Sequence, residues 1–372
     1  MTGVPLIIGA GPTGIAAALF LARRGIECRI VDRREEPSTE SKALAANPRT
    51  FEILETAGLA EKLEAESRPL HRGYFYDGWN KLAELSIEDV HPRYKMSVIP
   101  QARTEALLAE ALAGQGIRPE RGVQLDKLTQ AGGEVRVTLV HADGREEEVA
   151  APLLLGADGA HSRVRDCLGI SFDGDSFPEP WPLYDVELDD PLSIDGPHIS
   201  LVKGGLLFLL ALKPGLWRII ADVPDPLGRL PEGAKVGSVV WHSSFHVSHR
   251  LAKRAVSGRV ALAGDAAHIH SPVGARGMNL GIEDAYVFAA CAADALGGRW
   301  ERLEEYHRLR HPVQKSVVDH IRTLTTFARG QPDIVGGLRK LVLPGLAKFG
   351  PTAHFMTRML TGLDHDLVVE EN

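Results

Sequence analysis

The chain opens on an unbroken apolar run, Val4 to Ile8, which is the pattern of a parallel strand buried on both faces. It stops at Gly9. Alanines and leucines then run from Ile15 to Arg24, a helical stretch closed by Gly25. Glu27 to Val31 is strand-like again and ends at Asp32, so the first segment reads β–turn–α–β. A helix is expected over about Thr50–Leu63, followed by a mixed, aromatic-bearing stretch from His71 to Val98 and a second helix over about Thr104–Gly114. From Glu134 to Val140 apolar and polar residues alternate. Asp143-Gly144 then makes a hairpin turn into Glu147–Ala151, and Leu153–Leu155 reads as a short buried strand.

The character changes between Phe172 and Phe245. Prolines and short strand-like runs dominate, at Leu183–Leu188, His198–Val202, Leu206–Leu212 and Trp217–Val223. These predict a mostly antiparallel sheet in a second lobe. At Arg259 the buried-strand pattern returns as Val260-Ala261-Leu262-Ala263, and a long alanine-rich helix follows at about Met278–Leu296, with helical patterns over most of the remainder. An α/β Rossmann-type lobe is therefore assembled from separated segments, with a β lobe inserted between them and helices at the C-terminal end.

Two stretches carry candidate chemistry. Gly9-Ala10-Gly11-Pro12-Thr13-Gly14 sits between strand and helix. There Gly9 allows the tight turn, Gly11 lets a pyrophosphate approach the backbone, and Gly14 lets helix and strand pack closely. The helix N-terminus offers unpaired N–H groups to phosphates. Asp32, at the end of the second strand, stands where a carboxylate accepts from ribose hydroxyls. This motif indicates a dinucleotide without choosing between FAD and NAD. The second stretch is Gly264-Asp265, followed by Pro272-Val273-Gly274-Ala275-Arg276-Gly277-Met278-Asn279 at the start of the long helix. Asp265 has two readings, as an acceptor for ribityl hydroxyls or as a helix cap.

Composition narrows the field. The 372 residues carry 42 basic and 49 acidic side chains, a net charge of −7, which argues against a general nucleic-acid binder. Cys28, Cys167 and Cys291 are odd in number and far apart, a poor pattern for disulfides or zinc and the one expected of small buried hydrophobes. His268-Ile269-His270 lacks a third nearby ligand, so no metal is expected. His242, His246 and His249 are expected at an interface or the surface. Tyr74, Phe75, Tyr76, Trp79, Trp181 and Tyr184 fall in the second lobe, as core packing or as lining of an aromatic pocket. The apolar run Leu206–Leu212 is too short to span a bilayer. No signal peptide is visible ahead of Val4, and a cytoplasmic protein is expected.

In order along the chain, Gly9–Gly14 with Asp32-Arg33, then Gly156-Ala157-Asp158-Gly159-Ala160-His161-Ser162-Arg163-Val164-Arg165, then Gly264-Asp265 with Pro272–Asn279 resemble the class A flavoprotein monooxygenases of the p-hydroxybenzoate hydroxylase type. Asn47-Pro48-Arg49-Thr50 and Gln101 are lesser matches. The resemblance implies a glutathione-reductase-like FAD-binding domain built from residues 1–70, 98–171 and 255–320. It also implies a substrate-binding β lobe of 71–97 and 172–254, and a C-terminal helical segment of 321–372.

It further implies that Gly9, Gly11, Pro12, Thr13, Gly14, Asp32, Arg33, Lys42, Gln101, Leu125, Asp158, Gly159, Gly264, Asp265, Pro272, Gly274, Arg276, Gly277, Met278 and Asn279 surround FAD. Pro272 would face the cavity between flavin and substrate through its carbonyl, and Arg218 would approach the isoalloxazine ring; these two are the catalytic candidates. The sequence departs from the family at Lys42, where arginine is common. It departs also at Arg276, which would either stabilise a reduced flavin or point to solvent. The implied activity is hydroxylation of a phenolic or polycyclic aromatic molecule with NAD(P)H and O2 through a flavin C4a-hydroperoxide, by a monomer or homodimer without stable membrane insertion. A related flavin reductase acting on an isoprenoid or other small molecule is the alternative. A halogenase is disfavoured by the lack of a W-x-W-x-I-P segment, and a non-catalytic carrier by the intact phosphate, ribose and ribityl motifs.

Overall fold

The computed structural model describes residues 3–38, 43–189, 192–330 and 350–370. Lys42 lies outside them. At the centre of the first lobe is a six-stranded sheet in the order Val256–Ser257, Val260–Leu262, Leu154–Gly156, Leu6–Ile8, Arg29–Asp32, Glu120–Arg121. The five strands from Val260–Leu262 to Glu120–Arg121 run parallel, and the edge strand Val256–Ser257 is antiparallel. All three residues of Leu6–Ile8 are buried, which is why that segment shows no polar alternation.

The helix Pro12–Ala22 packs against the long helix Gly277–Leu296, and together with the sheet they form the largest apolar core. The hairpin read at Asp143-Gly144 joins Glu134–His141 to Glu146–Ala151, and a third strand, Val123–Ala131, completes an antiparallel meander. The helix expected over Thr50–Leu63 is two helices, Pro48–Glu55 and Ala60–Ala65. Gly58 between them adopts a left-handed φ of 71° that ends the first.

The second lobe is an eight-stranded sheet in the order His268–Ile269, Lys235–Ala252, Phe172–Asp189, Leu216–Ala221, Gly205–Lys213, His198–Val202, Arg72–Asp77, Asn80–Ser86. Its two longest strands, Phe172–Asp189 and Lys235–Ala252, pair antiparallel through most of their 18 residues each. The short strand His268–Ile269 comes from the segment that carries Asp265 and bonds to Lys235–Ala252, so the two lobes share a hydrogen-bonded seam. The expected division at 320 falls inside one continuous helix, Glu301–Arg329, so no separate C-terminal segment begins there. No helix among the described residues is long and apolar enough to cross a membrane.

Candidate active site

The glycine-rich turn has the geometry its spacing predicts. Gly9 has φ 105°, and a Cβ there would lie 2.2 Å from the Ala157 carbonyl oxygen. A Cβ on Gly14 would lie 1.9 Å from the carbonyl oxygen of Gly9, so helix and strand approach too closely for any side chain. Gly11 is the opposite case: a Cβ would meet nothing within 4 Å. The space before Gly11, at the start of Pro12–Ala22, is thus open to a ligand, where helix N–H groups favour phosphate.

Asp32 secures this turn, accepting from the Ala10 N–H at 2.6 Å and the Arg34 N–H at 2.8 Å. A carboxylate has further lone pairs for ribose hydroxyls. Arg34, not Arg33, joins the cavity wall. Arg33 is exposed, in a run of exposed residues that follows the strand end, and is not part of that wall. Leu125 pairs in register with Leu139 and is buried in the apolar core behind the sheet, away from the cavity wall. Glu105, which is buried, sits near Arg121, Arg34 and Asp32; burial raises its carboxyl above the ordinary range, against the two arginines. Gln101 lines the cavity, and its Oε1 accepts from the Ala43 N–H at 3.1 Å.

The second motif wraps the other side. Gly264 turns with φ 59°, and a Cβ there or on Gly281 would lie 2.5 or 2.3 Å from Thr13 Oγ1, so the two motifs interlock at Thr13. Asp265 is exposed at the cavity wall, which continues through Pro272, Gly274, Ala275, Gly277 and Met278. Ala275 holds φ 52°, a strained backbone for a residue with a Cβ.

Arg276 is neither at the cavity nor in solvent. Its side chain is fully buried and pairs with Asp364 at 3.0 Å and with the Met359 carbonyl, drawing it toward the C-terminal helix Gly350–Thr361 and the tail after it. Asn279 is a clasp. Its Oδ1 accepts from the Asn47 N–H and the Thr50 hydroxyl, while its amide donates to the carbonyls of Ala45 and Ala275. Behind the loop lies a buried charge network. Asp284 accepts from Gly264 N–H and Arg310 and pairs with His268 at 2.7 Å, and Glu283 meets Arg310 and His365. Burial opposes ionisation of Asp284, yet Arg310 and His268 hold its carboxyl down at about 2. His268 thus answers to Asp284, and no metal-binding cluster occurs among the described residues.

In the DG stretch, Asp158 accepts from the Ser162 hydroxyl at 2.6 Å and the Val164 N–H at 3.1 Å, bracing the short helix Arg163–Cys167. Its burial raises the carboxyl above the usual range despite those bonds. Gly159 and Ala157 reach the cavity wall.

From the Gly11 cradle, one cavity of about 430 Å3 runs past Gln101 and Asp265 into the second lobe. There its walls are apolar. The sheet contributes Phe75, Leu85, Leu183, Phe208, Leu210 and Ile220, and the helices contribute Leu324, Phe327, Met356 and Leu360. Of the aromatics read as possible lining, Phe75 reaches this wall. Trp181 is fully buried in the core, and Tyr74 stacks on His198 at 4.7 Å. Phe208, Phe245 and Phe327 line the chamber unforeseen, because an apolar residue facing a cavity has the same sequence pattern as one facing a core.

His270 also lines it. Its Nδ1 donates to the Ser271 carbonyl, and burial pulls the imidazole down to about 3, so it stays neutral. His249, expected at an interface or the surface, is buried and held down at about 4 by the same cause. Arg218 does not reach the cavity wall. It is buried in a bidentate pair with Asp185, both contacts at 2.7 Å.

Comparisons with known proteins agree with this architecture. The family profile described as "FAD binding domain" matches residues 2–203 and 231–321. The chain is 37% identical over 344 residues to a 6-methylpretetramide 4-monooxygenase of Streptomyces rimosus, covering 87% of this chain and 61% of that protein. It is 31% identical over 348 residues to pentachlorophenol 4-monooxygenase of Sphingobium chlorophenolicum, covering 87% and 65%. The chain thus spans somewhat under two thirds of the length of these two relatives. Among solved structures, the anhydrotetracycline hydroxylase OxyS of Streptomyces rimosus superposes with a TM-score of 0.80 at 29% identity, over 98% of this chain and 77% of that one. With a glycine-rich turn, a second acid motif and an apolar chamber along one cavity, the chain belongs to the FAD-binding-domain family, among the class A FAD-dependent aromatic monooxygenases.

Proposed function

We propose that this chain hydroxylates an aromatic small molecule, using FAD, NAD(P)H and O2, as a monomer or homodimer of the cytoplasm. The observation that carries the reading is the single cavity whose one end is a glycine cradle and whose other end is an apolar chamber. The residues present fit FAD. The open face of Gly11 suits the pyrophosphate, Asp32 the adenosine ribose and Asp265 the ribityl chain. Gln101 and the 272–278 loop flank the region between cradle and chamber. Bound there, reduced flavin supplies the activation of O2.

The chain's own part is to hold an aromatic ring beside the flavin and to keep water out, and apolar walls from both sheet and helices do both. The helix Gly277–Leu296 presents its N-terminal N–H groups beside Gly277 and Met278, both on the cavity wall, which favours negative charge developing there. The named relatives are monooxygenases, which favours oxygen transfer over the reductase alternative. The test is NAD(P)H oxidation with a panel of phenolic and polycyclic compounds. Acceleration together with a hydroxylated product is expected, and the reading is lost if no aromatic compound accelerates oxidation.

A further inference from the structure

Beside the chamber, on the same face of the sheet, lies a cation that has been silenced. Among the described residues lining the whole cavity, the charged side chains are Arg34 and Asp265, and both belong to the dinucleotide end. The substrate end carries none. Charge is nonetheless close by. Arg218 lies two residues from Ile220 on the strand Leu216–Ala221 and directly opposite Leu210 in register. Side chains two apart on a strand share a face, and both Ile220 and Leu210 line the chamber. Arg218 therefore belongs to the chamber-facing side of the sheet. Asp185, its register partner, stands two residues from the chamber residue Leu183 and takes the guanidinium in a bidentate grip. The pair is buried, with Arg218 2% and Asp185 9% exposed. Arg329, whose helix also supplies Leu324 and Phe327 to the wall, is consumed in the same way by Asp222 and Glu179 at 2.7 and 2.9 Å.

From this arrangement we infer that the chamber selects a neutral, multi-ring aromatic substrate and rejects anionic rings, with Asp185 as the specificity residue that cancels Arg218. An anion entering the chamber would lose its hydration and find the guanidiniums of Arg218 and Arg329 already paired, a penalty that a neutral ring of the same shape escapes. A wall of apolar side chains drawn from both the sheet and the helices matches the broad faces of fused rings. The inference rests on the proposed aromatic substrate but is read by binding alone, without turnover.

The experiment uses the FAD-loaded full chain and two probes, a naphthol and the same naphthol bearing a carboxylate. Dissociation constants come from the perturbation of the flavin absorbance. The neutral probe is expected to bind at least about tenfold tighter, the ratio that a modest uncompensated charge imposes. In Asp185→Asn, which keeps the shape but frees the charge of Arg218, the ratio should shrink by about tenfold or reverse. The double variant Asp185→Asn with Arg218→Gln should restore the wild-type preference. Equal or tighter binding of the carboxylated probe by the wild type, or no binding of either probe, overturns the inference. So does an unchanged ratio in a folded Asp185→Asn variant. If that variant does not fold, the wild-type ratio decides. A chain that shows the predicted ratio but never transfers oxygen keeps this inference and loses the hydroxylase reading. A chain that hydroxylates but shows no ratio does the reverse.

Discussion

The two ends of the one cavity are built by different means. At the dinucleotide end, backbone does most of the holding. Gly9, Gly11 and Gly14 lie within six residues, Asp32 fixes the turn through the Ala10 N–H, and Gly264 locks against Thr13. At the chamber end, side chains do it, and they arrive from strands and helices as far apart in sequence as Phe75 and Leu360. The first design depends on close approach, so a methyl group added at Gly9 or Gly14 would collide with backbone. The second depends on summed apolar contact, so it tolerates exchange and can be retuned for different rings. This contrast makes separable demands on the protein.

The largest effect is expected at the cradle. Gly14→Val would place atoms 1.9 Å from the Gly9 carbonyl oxygen, against backbone that cannot yield. A loss above about 4 kcal/mol is expected, enough to prevent folding of a marginally stable chain. Soluble yield and thermal unfolding check this, and a folded, flavin-bound Gly14→Val protein would break the contrast.

Next comes Asp265→Ala. Loss of a charge-assisted hydrogen bond should cost about 1.5–3 kcal/mol, roughly a ten- to hundredfold weaker FAD dissociation constant. Asp166→Ala, at an exposed position on the short helix Arg163–Cys167, should leave FAD binding unchanged. Equal constants for the two variants would contradict the assignment of Asp265.

Phe208→Ala sharpens the comparison from the other side. Phe208 lines the chamber on the strand Gly205–Lys213, away from the cradle. Removing its ring should raise KM for an aromatic ligand by about tenfold, from about 1–2 kcal/mol of lost apolar contact. FAD affinity should hold. If flavin affinity falls as far as ligand affinity, the two ends are not separable.

How much of this was legible in the sequence follows the same division. Gly9, Gly11, Gly14 and Asp32 are short-range features, each with a steric or hydrogen-bonding reason that holds wherever strand, turn and helix follow in that order. The structure shows the tight turn at Gly9, the close approach at Gly14 and the open face at Gly11. The strand Lys235–Ala252 escaped notice because half of it is exposed and rich in serine and histidine, so it lacks the apolar alternation that marks a strand. Arg276 and Arg218 were readable as charges near the flavin, but their partners Asp364 and Asp185 lie 88 and 33 residues away. Only the folded chain shows that both guanidiniums are already taken. Apart from Phe75, which the sequence left between core and pocket, the apolar chamber residues carried no distinguishing signal, since burial against a ligand and burial in a core demand the same side chains.

The smallest effect is expected in the tail that packs behind the loop. His365 pairs with Glu283 at 2.7 Å and Asp364 at 3.1 Å. Burial opposes its protonation, but these carboxylates raise its pKa above the ordinary 6.5. A raised histidine contributes stability fully below its unfolded value and loses it as pH climbs through the folded value. The Tm difference between wild type and His365→Gln should therefore be larger at about pH 6 than at about pH 9. A difference that grows with pH would contradict the pairing.

The central claim is that the cradle and the chamber serve one reaction, oxygen transfer to an aromatic ring held beside the flavin. The most direct measurement is stopped-flow flavin reduction by NAD(P)H with and without an aromatic ligand, followed by turnover under isotope-labelled O2. The expected result is slow reduction alone, faster reduction with ligand, and one labelled oxygen atom in the product. Reduction that no aromatic ligand accelerates, or a stimulating ligand that never acquires labelled oxygen, would contradict it.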